Sequence, residues 1–516
     1  MLNLATLLEN SAQKYANKTA YTFMDTNLSF AQINGAANQV ANGLVELGIQ
    51  AGDKVAISCF NLPYFPIIYN GILKAGATVV PLSVLLKADE IHYHLENSDA
   101  KAYFCFVGTE DLPMAQMGHE GFQKTDACEH FIMIMPKGDM PAPIDGVQTL
   151  GSLMQDQPHS FDTVETKSSD TAVIVYTSGT TGRPKGAELT HSNLFANTVL
   201  CADLFNCKSE DIHLIVLPLF HIFAMVVMMN TALYRGATAI LLPRFDAETV
   251  LKLLDKHRVT VFAGVPTMYW GLNNYLDTNE FDISNIKSNL KSCLSGGASL
   301  PVPVLEKFEE RFDITVLEGY GMSEGSPVVT FNQLDIGRKI GSVGTPAWGI
   351  QVKLVNEEGE TVPVGEKGEL LYKGHNVMKG YYKNPDATAK TIKNGWLHSG
   401  DIAVKDEDGF YFIVDRTKDM IIRGGLNVYP REVEEVMMKH PAVSMAAVIG
   451  VPHAEMGEEI KAFVVLNEGK VATEEELMEF TKGNIAAYKY PRIIEITASL
   501  PTSATGKILK KELRKA

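Results

Sequence analysis

Residues 176–186 read Tyr176-Thr-Ser-Gly-Thr-Thr-Gly-Arg-Pro-Lys-Gly186. They follow Ala172-Val-Ile-Val175, an apolar, β-branched run that predicts a buried strand. From Thr177 to Lys185 the chain carries four hydroxyl side chains, two glycines and one lysine in nine residues. Glycines let backbone N–H groups turn toward an anion, hydroxyls add donors, and lysine adds a point charge. A polyphosphate suits Thr177, Ser178, Gly179, Thr180, Thr181, Gly182 and Lys185. A Walker loop would need Gly-Lys-Ser/Thr at the start of a helix. Here Lys185 stands between Pro184 and Gly186, so no helix is expected to begin there. The plain alternative is a polar surface loop, and the preceding strand and tight glycine spacing argue against it.

Working outward, 516 residues exceed what one core holds, so two or more domains are expected. Hydrophobic content of 46% and charged content of 21% suit a globular protein. With 61 acidic against 46 basic residues the net charge is −15, which leaves no basic excess for a nucleic-acid partner. The six cysteines are scattered without a CxxC and read as reduced core thiols, which points to a cytoplasmic location. The set Cys201, Cys207 and His213 fits no usual zinc spacing. The N-terminus lacks the features of a secretory leader. Residues 214–234 carry no Asp, Glu, Lys or Arg over 21 positions, long enough for a membrane span. Pro218, His221 and Asn230 interrupt it, and the reading is a buried strand (214–217), a turn and an apolar helix over about 224–234.

Strand-like runs at 54–58, 77–80, 237–242 and 260–262 alternate with helical patterns. That alternation predicts α/β layers with largely parallel sheets. Ser299 reads as an N-cap, with Pro301 and a helix over 304–312 leading into a strand at 314–317. From about 341 to 382 short strands and glycine turns predict a β-rich subdomain. A boundary is expected near Asp415-Arg-Thr-Lys-Asp419, giving domains of 1–415 and 416–516. The second is a small α+β unit whose helix, 431–439, is bounded by Pro430 and Pro441.

Four more segments point to chemistry. Leu217-Pro-Leu-Phe-His221 places a histidine in an apolar surround, and Ser295-Gly-Gly-Ala298 ends an apolar strand. Glu318-Gly-Tyr-Gly-Met-Ser-Glu324 offers a flat ring for a base and a carboxylate for a divalent cation. Trp396-Leu-His-Ser-Gly-Asp401 reads as a turn ending in an acid that could accept two ribose hydroxyls, and Pro501-Thr-Ser-Ala-Thr-Gly-Lys507 presents one lysine on a glycine loop.

In this order, the segments resemble the adenylate-forming superfamily of acyl-CoA synthetases, luciferases and adenylation domains, with bacterial medium- and long-chain fatty acid CoA ligases most alike. The resemblance spans residues 1 to about 516. It implies that Tyr320 stacks adenine, that Ser323 lies near the phosphates, and that Thr180 and Glu324 serve Mg²⁺. Asp401 would bind ribose with Arg416, and Lys507 would bridge carboxylate and α-phosphate. The implied nucleotide set adds Gly297, Ala298, Glu318, Gly319 and Gly321. Lys418 matches the hinge about which the small domain would move. Arg423, Gly424 and Gly425 would then reach the thiol tunnel. The implied catalytic set is Lys507, His221, Thr180 and Glu324. The implied acyl pocket is His221, Phe223, Met225, Met228, Met229, Gly264, Pro266, Thr267, Gly296 and Met322.

The implied reaction activates a carboxylic acid with ATP to acyl-AMP, then transfers the acyl group to coenzyme A. Methionines adapt to alkyl chains, and no Asp or Lys stands ready to pair the charges of an amino acid, which favours a medium- to long-chain fatty acid. The alternatives are an acyl carrier protein as acceptor, an aryl or other small acid as substrate, and a non-catalytic lipid-binding or membrane protein built on 214–234. Peripheral membrane contact and a homodimer stay open.

Overall fold

The structure is a computed structural model that describes residues 2–177, 183–416 and 418–515. Two large sheets form the N-terminal part. One has nine strands in the order 345–346, 328–331, 316–321, 292–295, 261–264, 212–215, 238–241, 19–23 and 26–29. The other has eight, running from 380–381 through 185–190, 171–177, 78–81, 54–58, 100–106 and 130–134 to 148–149. The inner pairings of both are parallel, as the alternation of strands and helices predicts. The run 172–175 lies inside the buried strand Thr171–Thr177. Its antiparallel partner is Lys185–Thr190, so residues 178–184 join two strands and no helix starts at Lys185.

A third sheet, of five strands, holds Ile350–Val355, Lys367–Gly374, Trp396–Lys405 and Tyr411–Arg416 and supplies the β-rich part. The smaller C-terminal domain is α+β. Its five-stranded sheet is built on the long pair Val443–His453 and Gly457–Leu466. The largest hydrophobic cluster spans Leu4 to Tyr411, and two smaller clusters lie between Ile421 and Leu513.

Several local readings need correction. The apolar helix after His221 is a π-helix, Phe223–Asn230, continued by the α-helix Thr231–Arg235. Its composition is helical and apolar, and nothing in that pattern distinguishes an i→i+5 ladder from an i→i+4 one. Residues 396–401 are not a turn; they open the ten-residue strand Trp396–Lys405, which is held by pairing to Lys367–Gly374. Pro301, not Ser299, caps the helix Val302–Phe312. Among the described residues no helix is long and apolar enough to cross a membrane.

Asn61 ties the two large sheets together. It is buried behind the strand Lys54–Ser58, and its Nδ2 reaches the carbonyls of Ile215 (3.2 Å), Leu217 (2.9 Å) and Leu242 (3.1 Å). Its Oδ1 accepts from Leu219 N at 2.8 Å. The segment entering His221 is therefore positioned by one amide. Asn61→Ala leaves these buried backbone groups without that partner and is expected to destabilise the fold by about 2–4 kcal/mol. A lowered midpoint of the first transition in urea, followed by tryptophan fluorescence, checks it.

Candidate active site

The site lies at the carboxyl ends of the parallel strands, where open α/β sheets bind ligands. Gly264, Ser295 and Glu318 stand side by side in register there. From this row emerge Val265 and the helix Pro266–Thr278, the Gly296–Gly297–Ala298 segment, and the Gly319–Gly321 backbone. The glycines are required by closeness. A Cβ on Gly296 would stand 3.3 Å from Gly319 O and 3.4 Å from Phe223 Cε1, so the Phe223 ring lies flush against bare backbone. A Cβ on Gly297 would stand 3.1 Å from Lys507 Cε.

On the nucleotide side, Tyr320 Oη donates to Asp401 Oδ2 at 2.5 Å. Arg416 Nε lies 3.3 Å from Asp401 Oδ1, and the two residues face each other across neighbouring strands. Burial raises the Asp401 pKa, and Arg416 pulls it back. The Tyr320 ring is thus fixed through its hydroxyl and packs against the main hydrophobic cluster. Glu318 is buried and accepts from Leu300 N at 3.1 Å; burial pushes its pKa up to about 7.

Lys507 enters from the C-terminal domain. Its loop is closed by Ser503 N donating to Lys507 O (2.8 Å) and Leu509 N donating to Pro501 O (2.8 Å). Thr267 Oγ1 donates to Gly506 O at 3.0 Å, and Trp270 Nε1 donates to Ser444 Oγ at 2.8 Å, so the loop is docked on the N-terminal part. Desolvation first, and Arg416 second, lower the Lys507 pKa from 10.5 to about 8 against the opposing pull of Asp401. His221 is near enough to feel Lys507. Desolvation first, and Lys507 second, lower its pKa to about 3, and its Nδ1 accepts from Phe223 N at 3.3 Å. His221 is therefore a neutral, apolar-lined ring at working pH.

Thr177 and Lys185 face each other across the two strands that flank the phosphate loop. Ser178, Gly179, Thr180, Thr181 and Gly182 lie outside the described residues. Lys185 Nζ sits 4.3 Å above the Tyr381 ring, and Tyr381 Oη donates to Glu324 Oε1 at 2.8 Å. Glu324 and Ser323 form the short 3₁₀ turn Ser323–Gly325, preceded by half-buried Met322. Glu324 is buried and has no Lys or Arg partner among the described residues. Near it the Tyr372 hydroxyl is buried without a hydrogen-bond partner. A buried carboxylate with one oxygen engaged and no counter-cation fits Mg²⁺, which takes one or two carboxylates plus phosphate oxygens.

The remaining named residues have the following surroundings. Arg423 is paired with Glu459 through two contacts of 2.6 and 2.9 Å, and Gly424 and Gly425 form an exposed hairpin tip. Lys418 is exposed beside Asp419, which pairs with Arg514 at 2.8 Å. Met225, Met228 and Met229 are wholly buried in the π-helix. Cys207 Sγ meets His213 Nε2 at 3.3 Å while Cys201 turns to Asn197; no group of three or more His, Cys, Asp or Glu suits a metal among the described residues. Tyr381, Tyr372 and Trp270 are site neighbours that the sequence reading missed; only the Gly-Tyr pair at 380–381 hints at one of them.

Fold and site together define an adenylate-forming ligase. The family model described as AMP-binding enzyme matches residues 8–382, and that for the AMP-binding enzyme C-terminal domain matches residues 432–507. The chain is 38% identical to the long-chain-fatty-acid–CoA ligase of Bacillus subtilis (strain 168), covering 99% of this chain and 94% of that one. It is 37% identical to a feruloyl-CoA synthase of an Amycolatopsis species, covering 98% and 97%. The structure superposes on the anthranilate CoA ligase AuaEII in complex with anthranoyl-AMP with a TM-score of 0.91 and 29% identity, covering 99% and 96%. The chain belongs to the AMP-binding enzyme family. It is an acid–thiol ligase that uses ATP and CoA.

Lys507 titrates near pH 8 rather than 10.5 in the unliganded protein. Competitive labelling of amines across pH, read by peptide mass, should show that midpoint. Arg416→Gln removes a neighbouring cation and should move it up; Asp401→Asn removes the opposing carboxylate and should move it down.

Proposed function

We propose that the enzyme converts a medium- to long-chain fatty acid to its acyl-CoA through acyl-AMP. The observation that carries this reading is the acyl side of the Gly296 backbone. There the Phe223 ring forms the wall, and the π-helix behind it, Phe-Ala-Met-Val-Val-Met-Met-Asn, bears no charge. An alkyl chain fits such a wall, and methionines adapt to its length. The 38% identity to a long-chain-fatty-acid–CoA ligase over nearly the whole chain supports it. A second reading, an aromatic acid, is favoured by the flat face of Phe223 and the 37% identity to a feruloyl-CoA synthase.

In the first half-reaction a carboxylate oxygen attacks the α-phosphorus of ATP, and the bond to pyrophosphate breaks. Tyr320 and Asp401 orient the nucleoside, Lys185 with its loop holds the departing phosphates, and the Lys507 ammonium steadies charge between carboxylate and α-phosphate. Mg²⁺ held by Glu324 and Thr180 would offset pyrophosphate charge. In the second half-reaction the thiol of CoA attacks the acyl carbon and AMP departs. No protein nucleophile is used, in keeping with six cysteines that are all buried.

The two steps need different groups in one place. The reading divides the chain at 415/416 and turns the 416–516 unit about Lys418. That turn would withdraw Lys507 and bring Arg423, Gly424 and Gly425 to the thiol; the narrow glycine tip would admit a pantetheine arm.

Two experiments test this. An acid panel from acetate to stearate with benzoate and ferulate, scored for AMP release with and without CoA, should peak at the longer alkyl acids. A peak at ferulate or benzoate would establish the aromatic reading instead. In the same assay, Lys507→Ala should lower acyl-AMP formation by roughly 10²-fold or more while sparing thiolysis of supplied acyl-AMP. Equal losses in both halves would refute the two-pose scheme.

Lys418→Pro fixes φ and restricts residue 417, so it should hold the docked pose. Acyl-AMP should form and accumulate in a single turnover, and thioester should appear roughly tenfold or more slowly. Wild-type thioester rates would exclude this hinge.

A further inference from the structure

Glu324 takes its direction from outside its own turn. Its side chain has one hydrogen-bond partner among the described residues, the hydroxyl of Tyr381 at 2.8 Å. Tyr381 belongs to the short strand Gly380–Tyr381, which pairs antiparallel with the strand leaving the phosphate loop, with Tyr381 opposite Ala187. That edge is fixed. Tyr381 N donates to Thr388 Oγ1 at 2.8 Å, and a Cβ on Gly380 would stand 3.0 Å from Thr388 Cγ2. The buried Tyr381 ring lies under Lys185 Nζ at 4.3 Å. One side chain therefore touches both the loop's lysine, through its face, and the turn's carboxylate, through its hydroxyl.

We infer that Tyr381 is the positioning residue of the metal–phosphate end of the site: its hydroxyl holds Oε1 of Glu324 and leaves Oε2 for the cation, while its ring seats Lys185. This rests on the reading of Glu324 as a metal ligand. A carboxylate offers both oxygens, and a donated O–H on one selects which remains free. A cation on an aromatic face gains attraction without losing its charge, so Lys185 stays available to phosphate. The arrangement orients a ligand from outside the coordination sphere, as hydrogen-bonded partners of metal-binding carboxylates do.

Tyr381→Phe separates the two roles, because it deletes the hydroxyl and keeps the ring under Lys185. Mn²⁺ binding to the full-length enzyme with α,β-methylene-ATP, followed by loss of the free Mn²⁺ EPR signal, should weaken about tenfold, in the 10–100-fold range for a lost outer partner. The Mg²⁺ half-saturation for acyl-AMP formation should rise in parallel, and thiolysis of supplied acyl-AMP should hold. Glu324→Gln is measured beside it. If Glu324→Gln weakens Mn²⁺ binding and Tyr381→Phe does not, the positioning role is overturned while the Glu324 reading stands. If Glu324→Gln binds Mn²⁺ as the wild type does, both fall. The double variant should be no weaker than Glu324→Gln alone; a further loss would mean that the hydroxyl does not act through Glu324. Equal damage to thiolysis would make Tyr381 a packing residue and overturn the inference.

Discussion

Lys507 is an ammonium taken out of water and set beside another cation, Arg416, with Asp401 the carboxylate that eases it. Holding it there is costly, which is why its pKa falls. The cost is met by geometry elsewhere: Gly297 has no Cβ to block the lysine stem, and Thr267 anchors the carbonyl of Gly506. A triphosphate or an acyl phosphate brings the missing negative charge. In the proposed reading the site is thus arranged for the charge that develops in the reaction rather than for the empty protein. His221 follows from the same constraint, since a second protonated group beside Lys507 would worsen the field, and its ring stays neutral.

Beside the packing of Gly506 on Val265, the contacts across this junction among the described residues are polar. They include Trp270 with Ser444, Lys367 with Glu432 at 2.8 Å, and Arg431 with the Ile413 carbonyl and Asp415. Among the described residues the hydrophobic clusters do not run across this junction; the largest extends no further than Ile413, which packs against it, and the next begins at Ile421. Apolar burial would weld the parts, whereas exposed ion pairs and single hydrogen bonds are worth little each. An interface of that kind suits a pose that is adopted for one step and left for the next. The exposed Gly424–Gly425 tip, idle here, suits the same scheme.

What was legible in the sequence had a local cause. The run 54–58 is a strand with those bounds, and the apolar stretch before Tyr176 is a strand because β-branched residues and period leave little choice. The end of the apolar strand at Ser295-Gly296-Gly297 was legible, and the structure ends that strand at Ser295, with protein atoms close against both glycines. What was missed had a distant cause. His398, Ser399 and Gly400 look like turn residues, yet pairing with Lys367–Gly374 keeps them in a strand. Asn61 and Tyr381 matter through partners more than fifty residues away, and beyond the Gly-Tyr pair at 380–381 no local pattern marks them. The π-helix is an outcome of packing, because its eight residues read as any apolar helix would.

The same division explains why relatives of near-equal identity bear the names of different acids. The strand-end row Gly264, Ser295 and Glu318 and the docked lysine, to which the proposed reading assigns activation, are features of the sheet and its junction. In the proposed reading the acid meets a much smaller part of the chain: the Phe223 ring on Gly296 and the buried π-helix that carries it. A π ladder is rare and tends to sit at functional positions, where packing holds a geometry the backbone would not choose alone. Exchanging one or two side chains there reshapes the wall by a methylene or a ring without touching the register row. Pocket discrimination of about 1–3 kcal/mol per methylene then selects the acid. Identities of 38% to a fatty-acid ligase and 37% to a feruloyl ligase therefore measure the shared activation machinery. In the proposed reading the choice of acid rests on a handful of positions behind Phe223.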